Sequence, residues 1–248
     1  MSGKVSLKEN PKSFLYGLKC GIPIALGYLA VSFGFGISAV NGGLSVLSSV
    51  IISMTNLTSA GQVAALGIIA AMGTLGEMAL TQLVINLRYF LMSISVSQKL
   101  DKSFSIPHRF ITSFGITDEI FAVACSQKGE IGKRFMYGLI LLPFIGWTLG
   151  TLLGASAGEI LPLKIKAALG IAIYGMFIAI IIPPARKEKS VAFVVVLSAI
   201  LSCVLYYVPL FSGISSGFSI IICAVVTSVL AAAIFPHEDS EEEEEDNA

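Results

Sequence analysis

The sequence predicts an all-α integral membrane protein, a polytopic helical bundle of about six to eight membrane segments. Three observations lead there. Of its 248 residues, 55% are hydrophobic and only 13% are charged, against about 25% charged in an ordinary soluble domain. The stretches 137–153, 167–182, 191–208 and 218–235 carry no charge at all, and a helix needs roughly 20 mostly apolar residues to cross about 30 Å of hydrocarbon. The net charge of zero also hides a basic body, because half of the 16 acids (Glu238, Asp239, Asp246 and the glutamates at 241–245) sit at the very end. That tail is too charged to bury anything and reads as a disordered cytoplasmic segment, 236–248.

The remaining organisation is simple. Residues 1–13, with Lys4, Lys8 and Lys12 but no short apolar core followed by a small-residue cleavage site, read as a cytoplasmic amphipathic lead-in. Residues 14–235 read as a single transmembrane domain. Its first apolar block, 14–40, is rich in glycine (Gly17, Gly21, Gly27, Gly34, Gly36), which lets helix backbones approach closely in lipid. Lys19 near its start can snorkel to the interface, and Pro23 withholds one helical hydrogen bond and predicts a kink. Asn41-Gly42-Gly43 makes a turn. A second block, 44–72, is interrupted by polar residues from Thr55 to Gln62, and a third, 75–97, contains Glu77, Gln82, Asn86 and Arg88.

A basic segment (98–109) and a short mixed one (110–126) follow. Four plain apolar spans are then expected at 135–157, 162–183, 190–208 and 213–235. Polar residues inside the membrane are thus concentrated in the first half, and the second half resembles scaffold.

Lysines and arginines set the topology. Lys4, Lys8, Lys12 and Lys19 place the N-terminus inside, as do the three bases at 186–189 for their loop, while the uncharged loops at 41–44 and 209–217 belong outside. Both termini are then cytoplasmic. The middle admits two arrangements. Either 44–72 is one full span, which leaves the basic 98–109 loop outside, or 44–72 dips in and out around 55–62. In the second case 110–126 is a further dip from the opposite face. Two broken segments entering from opposite faces would suit an inverted repeat with a site near the midplane.

Three groups of residues could carry chemistry. The run Thr55-Asn56-Leu57-Thr58-Ser59-Ala60-Gly61-Gln62 puts hydroxyls, amides and small residues at membrane depth. Non-helical backbone is tolerated there only against protein or a water-filled cavity. Backbone N–H groups at a half-helix N-terminus could receive a carboxylate, with Asn56, Thr58, Ser59, Gly61 and Gln62 as the binding set; the alternative is a packed helix whose small residues serve contacts.

In Gly115-Ile116-Thr117-Asp118-Glu119, Thr117 or Asp118 can cap a short helix and Glu119 can sit in its first turn. Equally, one carboxylate can carry a proton or meet a substrate ammonium. Glu77 and Arg88 share a helix face but lie about 16 Å apart and cannot pair. Arg88 is therefore expected to pair with Asp118 or Glu119. Asn86 and the mid-span Trp147, the sole tryptophan, read as structural.

Other chemistry finds no support. Cys20, Cys125, Cys203 and Cys223 have no ligand or redox spacing and read as small hydrophobes. His108 and His237 form no zinc motif, and no P-loop or dinucleotide fingerprint appears. The reading calls for no metal, no cofactor and no enzyme.

The chain resembles the AzlC family of bacterial branched-chain amino acid permeases over about 14–235. The resemblance is carried by Gly21-x-Pro23 with Phe33-Gly34-Phe35-Gly36, the small-residue run ending in Gln62, and Asn86-Leu87-Arg88-Tyr89. Its most specific part is Phe114-Gly115-Ile116-Thr117-Asp118-Glu119-Ile120-Phe121-Ala122. Trp147-x-x-Gly150-x-x-x-Gly154 and Ala167-Ala168-Leu169-Gly170 add to it.

The resemblance implies the large subunit of a two-part exporter of branched-chain or related amino acids in the cytoplasmic membrane, working with a small AzlD-type membrane protein. One departure stands out. Leu57 and Thr58 occupy positions where the family has an aromatic and a small residue, and on a substrate path they would shift the cargo away from valine, leucine or isoleucine. On this reading the 59–62 break holds a carboxylate, Asp118 or Glu119 holds an ammonium or a coupling proton, and Arg88 positions that acid. The rival readings are a non-transporting scaffold or sensor subunit, which predicts no solute-sized cavity, and a passive channel.

Overall fold

The computed structural model describes residues 10–160 and 181–235, together with 162, 164, 175, 177 and 178. Its elements are α1 (Phe14–Asn41), α2 (Val46–Thr55), α3 (Ser59–Ala70), α4 (Leu75–Gln98), α5 (Ile106–Phe114), α6 (Asp118–Ser126) and α7 (Lys133–Ile160), then α8 (Lys189–Tyr207), a 3-10 turn (Pro209–Phe211) and α9 (Ser216–Ile234). The described residues contain no β-strand, only an isolated bridge between Leu100 and Ile131. Five helices (α1, α4, α7, α8 and α9) are long and apolar enough to cross a membrane. The protein is therefore a polytopic helical membrane protein. The expected span at 162–183 lies mostly outside the described residues, as do residues 1–9 of the lead-in and the tail 236–248.

The spine of the bundle is α1 against α7, and glycine makes it. A Cβ at Gly146 would meet the carbonyl of Ala25, one at Gly150 that of Leu29, and one at Gly154 that of Phe33. From the other side, a Cβ at Gly17 would meet Phe135 and Leu139, and one at Gly36 would meet Thr151 and Ala155. Rising numbers on one helix match rising numbers on the other, so the two run parallel. Lipid offers no hydrophobic drive between helices, and this close backbone approach supplies dispersion contacts instead. Helix α1 runs through Pro23 without a break.

That pairing defines two ends of the bundle. At the near end, where α1 begins, Gly132 N donates to Pro11 O at 3.0 Å and Ile131 N donates to Lys99 O at 2.7 Å. The Lys99 ammonium donates to the carbonyls of Cys125 and Gln127, the latter at 2.7 Å. Lys12 Nζ sits 3.5 Å from both Asp101 and Glu130. Thus α4 ends, α6 ends and α7 begins at the near end. At the far end, Gly217 N donates to the Glu77 carboxylate at 2.9 Å, which joins the start of α4 to the start of α9. Helix α8 runs back along α9, with Ser198 bonded to Thr227 at 3.2 Å and Phe193 against Phe235.

These ends decide the arrangement that loop charges left open. Because α1 ends and α4 begins at the far end, α2 and α3 must enter from that end and return to it. Their lengths, 10 and 12 residues, are about 15 and 18 Å, roughly half the hydrocarbon thickness each. Because α4 ends and α7 begins at the near end, α5 and α6 form a second hairpin from the opposite side. The inversion is carried by these two hairpins. Helices α1 and α7, being parallel, are not counterparts in it.

Candidate functional site

Each hairpin turns in a short extended break, and each return helix is capped by a threonine. Thr58 Oγ1 accepts from Gly61 N at 3.2 Å to start α3, and Thr117 Oγ1 accepts from Ile120 N at 3.4 Å to start α6. Asn56, Thr58 and Thr117 all have extended backbone, which is what an N-cap requires. Two helix N-termini, each the positive end of a dipole, therefore lie where the hairpin tips meet the middle of α1, α4 and α7.

Between them is a cavity of about 170 Å³, lined by Tyr28, Leu57, Ser59, Ala60, Arg88, Tyr89, Thr117, Asp118, Glu119, Trp147, Phe177 and Ile181. It is smaller than the roughly 300–1,000 Å³ of drug-sized pockets and suits a small solute. Its charged groups differ in their partners. Arg88 Nη1 is 3.0 Å from Asp118 Oδ2, and the guanidinium also lies over the Tyr89 ring at 5.0 Å. Glu119 has no cation beside it among the described residues. Instead the Tyr28 hydroxyl stands 2.5 Å from its Oε2 and 2.6 Å from Thr117 Oγ1. With an ionised Glu119, which only accepts, the phenol hydrogen goes to the carboxylate and Thr117 donates to the phenol. Trp147, 2% exposed, backs this network with its ring edge-on to Tyr28 at 5.2 Å.

On the cavity's other side, α3 opens with Ser59 and Ala60. Thr58 takes the N–H groups of Gly61 and Gln62, leaving those of Ser59 and Ala60 at the helix end without a partner among the described residues. A second chamber of about 190 Å³ adjoins the first through Leu57 and Tyr89. Its lining includes Thr55, Asn56, Thr58, Asn86 and Ser113 and is uncharged.

Gln62 is placed differently. It is fully buried and lines neither chamber. Its amide donates to the Asn56 carbonyl and reaches Ser53 at 3.5 Å, and Ser53 bonds Thr151 of α7 at 2.7 Å. Gln62 thus closes the backbone of the broken tip and ties α2 and α3 toward the spine. A Cβ at Gly61 would stand 2.6 Å from Gln82 Oε1 and 2.7 Å from Thr58 Cγ2, so a larger residue there requires those side chains to move. The Gly61 carbonyl accepts from Gln82 at 2.8 Å, and Asn86 bonds Gln82 at 3.0 Å. Glu77 lies apart from both chambers. It is buried at the far end, accepting from Ser215 Oγ and Gly217 N at the start of α9.

Comparison with known proteins bears on this geometry. The family model described as AzlC protein matches residues 23–161, which contain α1 from Pro23, both hairpins, α4 and α7. The chain belongs to the AzlC family. Its AzlC relatives include the inner membrane protein YgaZ of Escherichia coli (strain K12), 28% identical over 229 residues, 89% of this chain and 91% of that protein. An uncharacterized membrane protein of Archaeoglobus fulgidus is 33% identical over 172 residues, 68% and 75% of the two chains. One from Helicobacter pylori (strain 26695) is 25% identical over 157 residues, 62% and 68%. No solved structure matches.

Besides Trp147, three residues that line the cavity lie outside the polar clusters of the sequence: Tyr28, Phe177 and Ile181. For Tyr28 a signal existed. A phenol in the middle of a span needs a hydrogen-bond partner there. The two aliphatic and aromatic wall residues carry no such signal, since they look like any lipid-facing side chain.

Proposed function

We propose that this protein moves small solutes across the membrane, and that it carries out gradient-driven export of a branched-chain or related amino acid together with a small AzlD-type membrane subunit. The observation that supports it is the pairing of opposite features in one small central cavity. The open N-terminus of α3 at Ser59 and Ala60 favours a carboxylate. Glu119, held by Tyr28 and without a cation beside it among the described residues, favours an ammonium or a coupling proton. Asp118 is engaged by Arg88 and serves to position that end of the site. Leu57, Trp147, Phe177 and Ile181 receive an apolar side chain. A scaffold subunit has no need of such a cavity.

In the proposed orientation the near end is cytoplasmic. Lys12, Lys99, Lys102, Arg109, Lys128, Lys133 and Arg134 gather there, while the far-end connections at 42–45, 71–74 and 208–215 carry no charge, in keeping with the positive-inside rule. Helix α9 then also ends on the cytoplasmic side.

The test is efflux of radiolabelled leucine from cells loaded with a leucine dipeptide, with this chain alone and with its small partner. Faster efflux with the pair is expected. Unchanged efflux, with both proteins shown in the membrane, removes leucine as cargo.

A further inference from the structure

The central chambers continue toward the near end. A cavity of about 330 Å³ runs between α4 and α5 and reaches Leu100, Ile106 and Arg109. It shares Ser113 and Ile116 with the uncharged second chamber, which shares Leu57 and Tyr89 with the charged one. One face of α4 follows the whole course. Tyr89, Ser93, Val96 and Ser97 recur at helical spacing and stack on one side, Leu100 follows just past the helix end, and each lines at least one of the three cavities. At the near mouth Arg109 Nη1 donates to Ser97 Oγ at 2.9 Å, bridging α5 to α4 across the groove.

Toward the far end the same chambers meet packed helix. The bond between Ser53 and Thr151, the buried Gln62 on the Asn56 carbonyl and the buried Ile68 of α3 fill that side.

We infer that the groove between α4 and α5 is the solute's path between the central site and the near end, with Leu57 and Tyr89 as its inner constriction and the Arg109–Ser97 bond across its mouth. The inference rests on the transport reading for the identity of its occupant. Its chemistry suits a small amphiphile passing through. Hydroxyls of Ser93, Ser97, Thr112 and Ser113 interrupt an otherwise apolar wall, and a guanidinium stands at the entrance to meet a carboxylate. Among the described residues the structure is accordingly open toward the near end and packed toward the far one, and the opposite state requires the α2–α3 hairpin to part from α7.

Cysteine accessibility tests this, because thiol reactivity depends on access to water. In a chain whose native cysteines are replaced by alanine, Ser93→Cys and Ser113→Cys are treated in oriented vesicles with a membrane-impermeant methanethiosulfonate. Lys102→Cys marks the near face, Ser212→Cys the far face, and the exposed apolar position Leu91→Cys reports a side chain facing lipid. Labelling of Ser93→Cys and Ser113→Cys from the Lys102 side alone is expected, with no labelling of Leu91→Cys.

A far-side reaction, or none from either side while Lys102→Cys reacts, overturns the path. In the leucine efflux assay, labelled Ser113→Cys should lose flux and labelled Lys102→Cys should keep it. Full flux through a completely labelled Ser113→Cys also overturns the path. Labelling itself needs no solute, so near-side reaction without any leucine flux supports the path and counts only against leucine as cargo.

Discussion

Tyr28 of α1 and Glu119 of α6 face each other at 2.5 Å across the middle of the bundle, 91 positions apart in sequence. This contact joins the rigid spine to a hairpin tip, and it holds the one cavity carboxylate that has no cation beside it among the described residues. If Glu119 takes up cargo or a proton, the phenol sets its geometry. Tyr28→Phe removes a hydrogen bond to a charged group, about 1.5–3 kcal/mol, and should lower transport by roughly tenfold or more with the protein still folded. Glu119→Gln should abolish transport. Efflux assays on membranes with matched protein levels check both, and normal flux in Glu119→Gln would remove this acid from the mechanism.

Arg88 and Asp118 behave as a pair. Removing one partner leaves the other charge uncompensated at membrane depth, whereas removing both leaves none. Asp118→Asn and Arg88→Gln should each lower the unfolding temperature in detergent, and the double variant should recover much of the loss. Strict additivity of the two would show that the contact contributes no coupling.

The α1–α7 seam has no room for a methyl group. At Gly154 an added Cβ overlaps the Phe33 carbonyl, whereas at Gly27 it meets nothing within 4 Å. Gly154→Ala should therefore cost about 1–3 kcal/mol through forced separation of the helices. Gly27→Ala should be neutral or stabilising by up to about 1 kcal/mol through helix propensity. Thermal denaturation of the two purified variants decides it, and equal melting would refute the close seam.

Acid should loosen the near-end clasp. Hydrogen bonds from the Ser103 side chain and backbone, with Lys12 close by, hold the Asp101 carboxyl below its ordinary range. A depressed folded value means the stabilisation is complete above the unfolded value of about 3.9 and is lost as pH falls through the folded one. Proteolysis of the 99–105 loop should accelerate in that acid window. Asp101→Asn should be cleaved readily at neutral pH and show no such acid step.

Much of the fold was legible because its signals are local. Long uncharged runs must be helices in lipid, since no other unclosed structure satisfies the backbone there. The polar interruption at 55–62 and the Thr117-Asp118-Glu119 run marked where helices break, because hydroxyls and carboxylates are natural caps. The expense of a lone charge calls for a carboxylate beside Arg88 but leaves Asp118 and Glu119 equal as candidates, and the structure puts Asp118 there. The partner of Glu77, the start of α9, lies about 140 positions onward and leaves no trace in the local sequence.

The sequence by itself determined that the chain is a helical membrane protein with two broken segments rich in polar groups. It could not say whether 44–72 crosses or turns back, which acid stays unpaired, or that α1 and α7 run parallel. Tertiary structure decided these. Each depends on which backbones touch, and the glycine seam and the near-end hydrogen bonds fix the directions of helices whose hydropathy is the same whichever way they run.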